Sequence, residues 1–465
     1  MVKVLLVNPS LEDVYEGTKI EEAVPHYPPL NLLTIAGSLI RDGHEADLID
    51  FDLLGAKNQN EILRKKLEEV KPQMVGLSFG SPTYNQCKNM AKVVKEFDKN
   101  ILVIAGGSHP SADPKGVLKN PEIDITICGE GDFSILEICN SKDYSKILGI
   151  GFKKNKKEIF TPTRPFLKDL DELPMPAFEL VDIHKYKMPA AFSRKRPTVM
   201  IETSRGCAWG CTYCTKAVFG RNFRYKSPKR VVEEFKYMKK LGYKEIHIID
   251  DMFTTSKERV KEICRLLKEE NVGLSWACSN GIRVDKLDEE LAQLMYDTGC
   301  YRASFGVESG NQEILDGIEK QQTLEQVRNA FRICNKVGME TTAYLILGLP
   351  GDTEETMRQT IDFAKEIKPS IVKFDILVPL PSTPLYEKWK GKYFKEEDWD
   401  NFNFHNAKNL YKHPNLSWET LEKYYNRAYF EFYFRPSYMV NRFFDSLKKG
   451  KLLIDLKLLL KTKWN

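Results

Sequence analysis

Short apolar runs alternate with amphipathic segments along the first 105 residues. The apolar runs predict strands, and the segments with helical periodicity predict helices. The predicted strands are about Val4–Val7, Ala46–Ile49, Met74–Ser78 and Leu102–Ala105, and the predicted helices are about Leu30–Arg41, Asn60–Val70 and Tyr84–Phe97. Continuous apolar strands separated by helices are typical of a parallel, doubly wound α/β sheet. A ligand of such a sheet binds beyond the carboxyl ends of its strands.

The same alternation resumes after residue 197 and gives about six strand–helix units. The predicted strands are Val199–Glu202, Glu245–Ile249, Ser275–Cys278, Arg302–Gly306, Thr341–Leu347 and Ile371–Leu377. The predicted helices are Pro228–Leu241, Ser256–Asn271, Glu289–Thr298, Leu324–Val337 and Glu354–Ile367. Such a series predicts a partial (β/α)6 barrel, with its active site at the carboxyl ends of the strands.

Two further regions complete the predicted organisation. Residues 141–195 contain closely spaced prolines and turn residues without periodicity, which predicts a connector. The aromatic and basic residues after the barrel predict a helical C-terminal region. We therefore expect a first α/β domain, a connector, a barrel core and a helical region, with boundaries at 1–140, 141–195, 196–390 and 391–465.

Composition excludes several classes of protein. The formal net charge of +5 is dispersed along 465 residues, which argues against nucleic-acid binding. No stretch approaches the roughly 18 apolar residues that a membrane-spanning helix requires. The first residues form a strand-like run without a signal-peptide cleavage site, so the ten cysteines are expected to be reduced thiols. A cytoplasmic, reducing compartment is the expectation.

Cys207, Cys211 and Cys214 form a CxxxCxxC run. Three thiolates so close together can hold three corners of a tetrahedral or cubane metal site and leave the fourth open. A structural zinc site normally closes with four ligands, and the other seven cysteines are scattered singly. The spacing therefore favours a cubane iron–sulfur cluster with one iron free. The alternative is a set of three buried or zinc-bound cysteines.

Polar or glycine-rich segments follow the later barrel strands, namely Asp250-Asp251, Ser279–Arg283, Gly306–Gly310 and Gly348–Thr353. Together with the cysteine run they resemble the radical SAM superfamily. The resemblance implies a [4Fe-4S] cluster held by the three cysteines, with S-adenosylmethionine chelating the free iron. It further implies that S-adenosylmethionine contacts Tyr213, Asp250, Asp251, Asn280, Arg283, Glu308, Ser309, Gly348 and Pro350.

The first domain carries a second resemblance. No GxGxxG follows its first strand, which weakens a nicotinamide or flavin interpretation. Its turns at Asn8-Pro9, Pro28–Leu30, Gly43-His44, Gly106–His109 and Gly129–Asp132 instead resemble the cobalamin-binding domain that precedes many radical SAM cores. The resemblance implies cobalamin contacts at Asn8, Pro9, Ser78, Phe79, Gly80, Gly106, Gly107, His109, Gly129 and Glu130.

A cobalt-ligating histidine is not expected from the DxHxxG pattern. Asp42-Gly43-His44 starts like that pattern, but Asp47 stands where its glycine is required. His44 is therefore predicted to be a turn residue. His109 is the other candidate, and for it a corrin contact and a structural role both remain open.

These resemblances imply a 5′-deoxyadenosyl radical and methylation of an unactivated carbon by way of cobalamin. Enzymes of similar architecture, including the anaerobic magnesium-protoporphyrin cyclase and enzymes of hopanoid assembly, catalyse cyclisation or carbon–carbon bond formation. A cobalamin-dependent oxidoreductase or cyclase is therefore an alternative. A redox or cobalamin sensor without turnover is a third. Each of the enzymatic hypotheses requires a reducing electron donor, such as a flavodoxin- or ferredoxin-like protein.

The last 19 residues, 447–465, hold six lysines and one aspartate, with leucines at helical spacing. Such a helix favours either contact with an anionic membrane surface or a basic cap on the barrel. The first interpretation leads to the hypothesis of an apolar, lipid or isoprenoid-like small-molecule substrate. It also adds membrane-surface association to the expected cytoplasmic location as an open alternative.

Overall fold

The computed structural model describes residues 1–18, 21, 24–189, 191–393, 399, 402, 410–448, 450 and 452–462. Within these residues a seven-stranded sheet occupies the first part of the chain. Its strands are β1 (Lys3–Asn8), β2 (Glu45–Asp50), β3 (Met74–Ser78), β4 (Leu102–Gly106), β5 (Ile125–Ile127), β6 (Ile150–Lys154) and β7 (Lys157–Phe160). They lie in the order β2-β1-β3-β4-β5-β6-β7. The order reverses between β1 and β3, which makes their carboxyl ends the expected ligand position.

The sheet is mixed at one edge. Strands β1 to β5 are parallel, as predicted, but β6 pairs antiparallel with both β5 and β7. The last two strands come from the segment predicted to be a connector without regular structure. Asn155 and Lys156 join them with φ angles of 52° and 63°, the left-handed conformation of a tight hairpin turn. Neither residue is glycine, so the usual sequence signal of such a turn is missing.

Helices cover both faces of this sheet. One face packs against the helices at Leu30–Arg41 and Ser134–Asn140, and the other against those at Gln59–Val70 and Tyr84–Phe97. The helices are α1 (Glu12–Tyr15), α2 (Leu30–Arg41), α3 (Phe51–Leu54), α4 (Gln59–Val70), α5 (Tyr84–Phe97), α6 (Ser108–Ala112), α7 (Pro114–Leu118) and α8 (Ser134–Asn140).

The second large sheet forms the predicted open barrel. Within the described residues it has six strands, all parallel, which follow chain order from one edge to the other. They are β8 (Thr198–Ile201), β11 (Glu245–Ile248), β12 (Ser275–Ile282), β13 (Cys300–Glu308), β14 (Glu340–Leu347) and β15 (Ile371–Ile376). Two short strands, β9 (Ser204–Arg205) and β10 (Arg224–Tyr225), form a separate ribbon. Strand β12 extends past its predicted end at Cys278, with a register shift against β13.

Helices connect and cover the barrel strands. Ser227 caps the helix that begins at Pro228, and Thr323 and Gln326 form a capping box on the helix that begins at Leu324. The helices are α9 (Pro228–Lys240), α10 (Lys257–Glu269), α11 (Glu289–Asp297), α12 (Gln312–Gly317), α13 (Leu324–Val337), α14 (Glu354–Ile367), α15 (Pro384–Trp389), α16 (Trp418–Tyr433), α17 (Pro436–Lys448) and α18 (Leu452–Lys461).

The C-terminal helices attach to the last strand of the barrel. The Tyr429 hydroxyl donates to the carbonyl of Phe374, and the Tyr433 hydroxyl donates to that of Val372. Residues 449, 451 and 463–465 of the predicted basic helix lie outside the described residues. Among the helices that are described, none combines the length and apolar character needed to cross a membrane.

Candidate functional site

The three cysteines of the CxxxCxxC run occupy the loop at residues 206–223 between β9 and β10, here named the cluster loop. Cys211 is buried, Cys207 is partly buried, and Cys214 is exposed, and none forms a disulfide. Burial raises the pKa of Cys207, while the Lys216 ammonium acts in the opposite direction on this thiol. In the described part of the chain that ammonium is buried without a hydrogen-bond partner. A buried cation in this position would stabilise an anionic group bound by the loop.

The loop suits a cluster better than a single ion. No three Cys, His, Asp or Glu side chains of the described residues converge on one ion position. The thiolates of a cubane each bind a different iron, so their sulfur atoms do not need to converge. The unpaired Lys216 ammonium and three free thiols therefore fit a [4Fe-4S] cluster.

Two neighbouring aspartates hold the start of the cluster loop. The Asp250 carboxylate accepts hydrogen bonds of 2.6 Å from the Thr203 backbone N–H, the Thr203 hydroxyl and the Ser204 hydroxyl. Asp250 is 1% exposed, so the structure gives it an internal role rather than a free carboxylate. Burial and then Asp250 raise the pKa of Asp251, while Lys216 and the Gly206 backbone oppose that rise. The family resemblance implies that both acids contact S-adenosylmethionine, and of the two Asp251 has the more exposed side chain.

The structure brings Tyr213 and Glu308 together. Burial raises the pKa of Tyr213 well above its usual value, and the Glu308 carboxylate adds to that effect. Glu308 also accepts a 2.7 Å hydrogen bond from the Lys320 ammonium, and its φ of 66° is left-handed. An unfavourable backbone conformation at a non-glycine residue is typical of functional sites.

Arg283 has a structural role that the sequence did not reveal. Its Nη1 donates to the Lys320 carbonyl at 3.0 Å, and Nη2 donates to the Gln321 carbonyl. Nε donates to Asp285 at 2.7 Å, and the guanidinium lies 4.4 Å from the ring centre of Trp209 in the cluster loop. The Arg283 side chain therefore stabilises the cluster loop. Its donors are already used within the protein, so it does not offer them to the carboxylate of S-adenosylmethionine.

The remaining predicted contacts of S-adenosylmethionine fall in different surroundings. Asn280 lines the cavity of the barrel. The Ser309 hydroxyl is buried beside Thr360 and accepts from the backbone N–H of Asn311. The Gly348 carbonyl faces Nε2 of His413 at 3.0 Å, so the C-terminal region holds the loop that contains Gly348 and Pro350.

A cavity of about 470 Å³, here named the sheet cavity, lies at the carboxyl ends of β1, β3, β4 and β5 and continues under α2. Six of the predicted cobalamin contacts line it, namely Asn8, Ser78, Gly106, Gly107, Gly129 and Glu130. An added Cβ at Gly106 would meet no atom within 4 Å, and one at Gly107 would lie 2.8 Å from the Phe79 carbonyl oxygen. Gly106 thus leaves the cavity wall open, which fits a large ligand such as cobalamin, and Gly107 lets its backbone pack closely against Phe79.

The other four predicted cobalamin contacts, Pro9, Phe79, Gly80 and His109, are not among the lining residues. Phe79 packs into the core beneath the sheet. His109 is 1% exposed, faces the Ser81 hydroxyl at 2.9 Å and packs against Trp399. His44 accepts a hydrogen bond from the Val2 backbone, as a structural residue would.

Glu130 also joins the two domains. Its carboxylate pairs with Arg205 at 3.0 Å and with Arg224 at 2.9 Å, and it accepts from the Leu167 backbone N–H. The family resemblance implies a cobalamin contact for Glu130, but the sequence does not show which residues of the barrel reach the first domain.

A second cavity, here named the barrel cavity, measures about 580 Å³. Inward-facing residues of β11 to β15 form one wall, and α16 to α18 form the other. The two cavities share the lining residues Pro25, Tyr27, Met200 and Ile249. A ligand in the sheet cavity and a ligand in the barrel cavity would therefore meet at this boundary.

The comparisons with known proteins agree with this arrangement. The family model of the radical SAM superfamily matches residues 201–364, and that of the B12 binding domain matches residues 20–138. An uncharacterized methyltransferase of Pyrococcus horikoshii is 30% identical over 453 residues, which cover 96% of this chain and 95% of that protein.

A more distant relative is the anaerobic magnesium-protoporphyrin IX monomethyl ester cyclase of Rubrivivax gelatinosus. It is 26% identical over 393 residues, which cover 82% of this chain and 70% of the cyclase. The cobalamin-dependent S-adenosylmethionine radical enzyme OxsB, with aqua-cobalamin and S-adenosylmethionine bound, shares the fold. Its TM-score is 0.71 at 16% identity, with 98% of this chain and 72% of OxsB covered.

A cobalamin-type sheet domain followed by a cluster loop and an open barrel defines a cobalamin-binding radical enzyme. The chain belongs to the cobalamin-dependent radical SAM family. Its cofactors are a [4Fe-4S] cluster, S-adenosylmethionine and cobalamin. The predicted family, fold class and cofactors are thereby confirmed.

Proposed function

We propose that this enzyme methylates an unactivated carbon of an apolar, lipid or isoprenoid-like small molecule. When bound, the cluster and S-adenosylmethionine supply a 5′-deoxyadenosyl radical, and cobalamin supplies the methyl group. The observation that carries this proposal is the shared boundary of the two cavities at Tyr27, Met200 and Ile249. It lets the substrate carbon approach cobalamin while the barrel excludes water.

Roles for the predicted site residues follow from their positions. Cys207, Cys211 and Cys214 would hold the cluster, and Asp251 and Asn280 would face S-adenosylmethionine. Glycines 106, 107 and 129 would admit cobalamin to the sheet cavity. Asp250, Arg283 and Ser309 would position these groups through the hydrogen bonds described above.

The character of the barrel cavity supports an apolar substrate. Aromatic and aliphatic side chains dominate the wall that the C-terminal helices supply, among them Tyr429, Tyr433, Phe434, Met439, Phe443, Leu452 and Leu456. Arg302, Lys373 and Arg442 also line the cavity, and Arg302 is paired with Glu340. A cavity of several hundred cubic ångströms whose exposed surface is mainly apolar is typical of sites for small ligands.

The test is turnover of the reconstituted enzyme. The protein is purified without oxygen, loaded with cluster and hydroxocobalamin, and reduced with dithionite or a reduced flavodoxin in the presence of S-adenosylmethionine and a lipid extract. We expect both 5′-deoxyadenosine and S-adenosylhomocysteine, and a lipid that gains one methyl group. A Cys211→Ala variant is the control, since it should form neither product.

The relationship to the Rubrivivax cyclase favours a second candidate function, a cobalamin-dependent oxidoreductase or cyclase. Product masses separate the two functions, because methylation adds a methyl group whereas cyclisation removes hydrogen atoms. Deoxyadenosine without S-adenosylhomocysteine would support the second candidate. A loaded, reducible protein that forms neither would contradict both and support a sensor.

The C-terminal helices support contact with an anionic membrane surface. Of the fifteen large apolar side chains that are exposed in the described residues, nine lie between Phe430 and Leu460. Exposed lysines accompany them at 448 and 457. Apolar side chains beside basic ones are typical of helices that lie in a membrane interface. Because α17 and α18 also line the barrel cavity, such contact would let a lipid enter directly from the membrane.

Vesicle flotation tests this contact. We expect the protein to float with vesicles that contain phosphatidylglycerol and to stay behind with purely zwitterionic vesicles. Phe444→Ser combined with Leu453→Ser should abolish flotation, since both side chains are exposed and neither lines the barrel cavity. Leu54→Ser, an exposed leucine of the first domain, is the matched control. No flotation of the unaltered protein would contradict membrane contact.

A further inference from the structure

One tyrosine lies between the two cavities. Tyr27, in the segment before α2, lines both the sheet cavity and the barrel cavity. Its hydroxyl is 2.6 Å from Nδ1 of His247, and the two rings meet edge-on with their centres 5.7 Å apart. A residue of the first domain is thus fixed against an inward-facing side chain of β11.

The direction of this hydrogen bond follows from Glu245. Glu245 is 0% exposed, and its Oε1 lies 2.8 Å from Nε2 of His247 and 2.7 Å from the Tyr301 hydroxyl. Its Oε2 accepts from the backbone N–H groups of Arg194 and Lys195 at 2.9 and 2.8 Å. A carboxylate only accepts hydrogen bonds, so Nε2 of His247 carries the ring proton and Nδ1 is an acceptor.

The Tyr27 hydroxyl therefore donates to His247. Burial lowers the pKa of His247, although the hydrogen bond that Nε2–H donates to Glu245 acts to raise it. The ring is therefore neutral at pH 7 and has one N–H. With its proton directed at Nδ1, the Tyr27 oxygen faces the cavity as an acceptor. The Ser279 side chain on β12 also hydrogen-bonds this oxygen, so a ligand alcohol would take the place of the Ser279 hydroxyl as the donor to Tyr27.

We propose that Tyr27, oriented by His247 and Glu245, anchors the substrate by accepting a hydrogen bond from an alcohol group. The substrate class is thereby narrowed to an apolar molecule that carries a hydroxyl. This inference rests on the proposed function, because it takes the barrel cavity as the substrate site. Since most of the opposite wall is apolar, one hydroxyl anchored at Tyr27 fixes which carbons lie at the boundary with the sheet cavity.

Calorimetric titration with two matched probes tests the anchor. Farnesol and farnesyl methyl ether share a chain, but the ether lacks the donor hydrogen. We expect the full-length protein to bind farnesol about tenfold more tightly than the ether, which corresponds to about 1.4 kcal/mol. Tyr27→Phe should remove this preference, because it should weaken the binding of farnesol and leave the binding of the ether unchanged. Tyr433→Phe is the control, since that cavity tyrosine hydrogen-bonds the Val372 backbone and should leave the preference intact.

A His247→Leu variant separates orientation from packing. Without the Nδ1 acceptor, the Tyr27 hydroxyl can turn and donate to the ether oxygen. We expect ether binding to tighten severalfold and farnesol binding to change little, because an alcohol can either donate to or accept from a freely rotating hydroxyl, so that the preference is largely lost. A residue with a merely structural role would change both affinities in the same direction.

The outcomes distinguish this inference from the function on which it rests. If the unaltered protein binds both probes without preference, or if Tyr27→Phe weakens both equally, the anchor is wrong while an apolar substrate stands. If neither probe binds the unaltered protein, the apolar substrate class is contradicted, and the anchor is overturned with it.

Discussion

The guanidinium of Arg205 lies 2.6 Å from the carboxylate of Asp132 and so joins the cluster loop to the first domain. Both side chains are buried. Burial acts to raise the pKa of Asp132, but Arg205 outweighs it and holds that pKa below its usual range. Arg205 stands two residues before Cys207, so the position of Cys207 depends on a residue of the first domain.

Removal of Arg205 should destabilise the protein strongly. Arg205→Ala leaves Asp132 and Glu130 as buried carboxylates without this partner, and a loss of about 3–5 kcal/mol of unfolding free energy is expected. Urea denaturation of the cofactor-free protein measures it. Arg64→Ala, which breaks an exposed pair with Glu96, should cost about 1 kcal/mol or less. Equal losses in the two variants would contradict a special role for Arg205.

Loss of one cluster cysteine should remove the iron. After anaerobic reconstitution the unaltered protein should hold about four irons per chain, and Cys211→Ala should retain only a small part of them. Iron and sulfide analysis together with the electron paramagnetic resonance spectrum of the reduced protein provides the measurement. Cys139→Ala is the matched control, because that partly buried thiol lies in the first domain. Full iron content in Cys211→Ala would rule out this cysteine as a ligand.

A side chain at Gly106 should fill the sheet cavity. A Cβ added at Gly106 meets no atom within 4 Å, so we expect Gly106→Leu to keep the fold. The new side chain would occupy space in the sheet cavity. Binding of hydroxocobalamin, followed by equilibrium dialysis, should weaken by tenfold or more, or about 1.4 kcal/mol. Gly317→Leu, which is equally unobstructed but lies on α12, should bind normally. Unchanged binding by Gly106→Leu would place cobalamin elsewhere.

Glu431 should give the C-terminal helices a pH-dependent stability. Although burial acts to raise its pKa, hydrogen bonds from Lys365, Arg427 and Arg358 lower that pKa to about 2. A carboxylate with a lowered pKa contributes its full stability above its unfolded-state pKa and loses it as the pH falls through the folded value. Glu431→Gln should therefore cost about 2 kcal/mol at pH 7, reduced from the full effect because the side chain is partly exposed.

The difference between Glu431→Gln and the unaltered protein should stay constant above about pH 5 and narrow towards pH 2. Urea denaturation across this range checks it. Glu355→Gln, an exposed acid on α14, is the control and should show little difference at any pH. If the difference in unfolding free energy between Glu431→Gln and the unaltered protein does not change with pH, the substitution acts by altering packing and not by removing a charge.

Apolar periodicity was sufficient to predict most elements. Helices Tyr84–Phe97, Leu324–Val337 and Glu354–Ile367 begin and end where they were predicted, because caps and strongly amphipathic faces define them locally. The hairpin at residues 150–160 was missed, since its strands are short and lysine-rich and its turn lacks glycine. Strand β6 of this hairpin pairs with β5, and only the tertiary structure shows that pairing.

The sequence by itself determined the chemistry of this protein, because the CxxxCxxC run and the glycine-rich strand ends are local patterns that set ligand type and spacing. Only the tertiary structure decided which polar residues face a ligand. Asp250 and Arg283 have the residue types that a cofactor would use, yet Thr203, Ser204 and the loop at residues 320–321 satisfy them. Tyr27 showed no sequence signal, because its role depends on His247, which is 220 positions away in the chain.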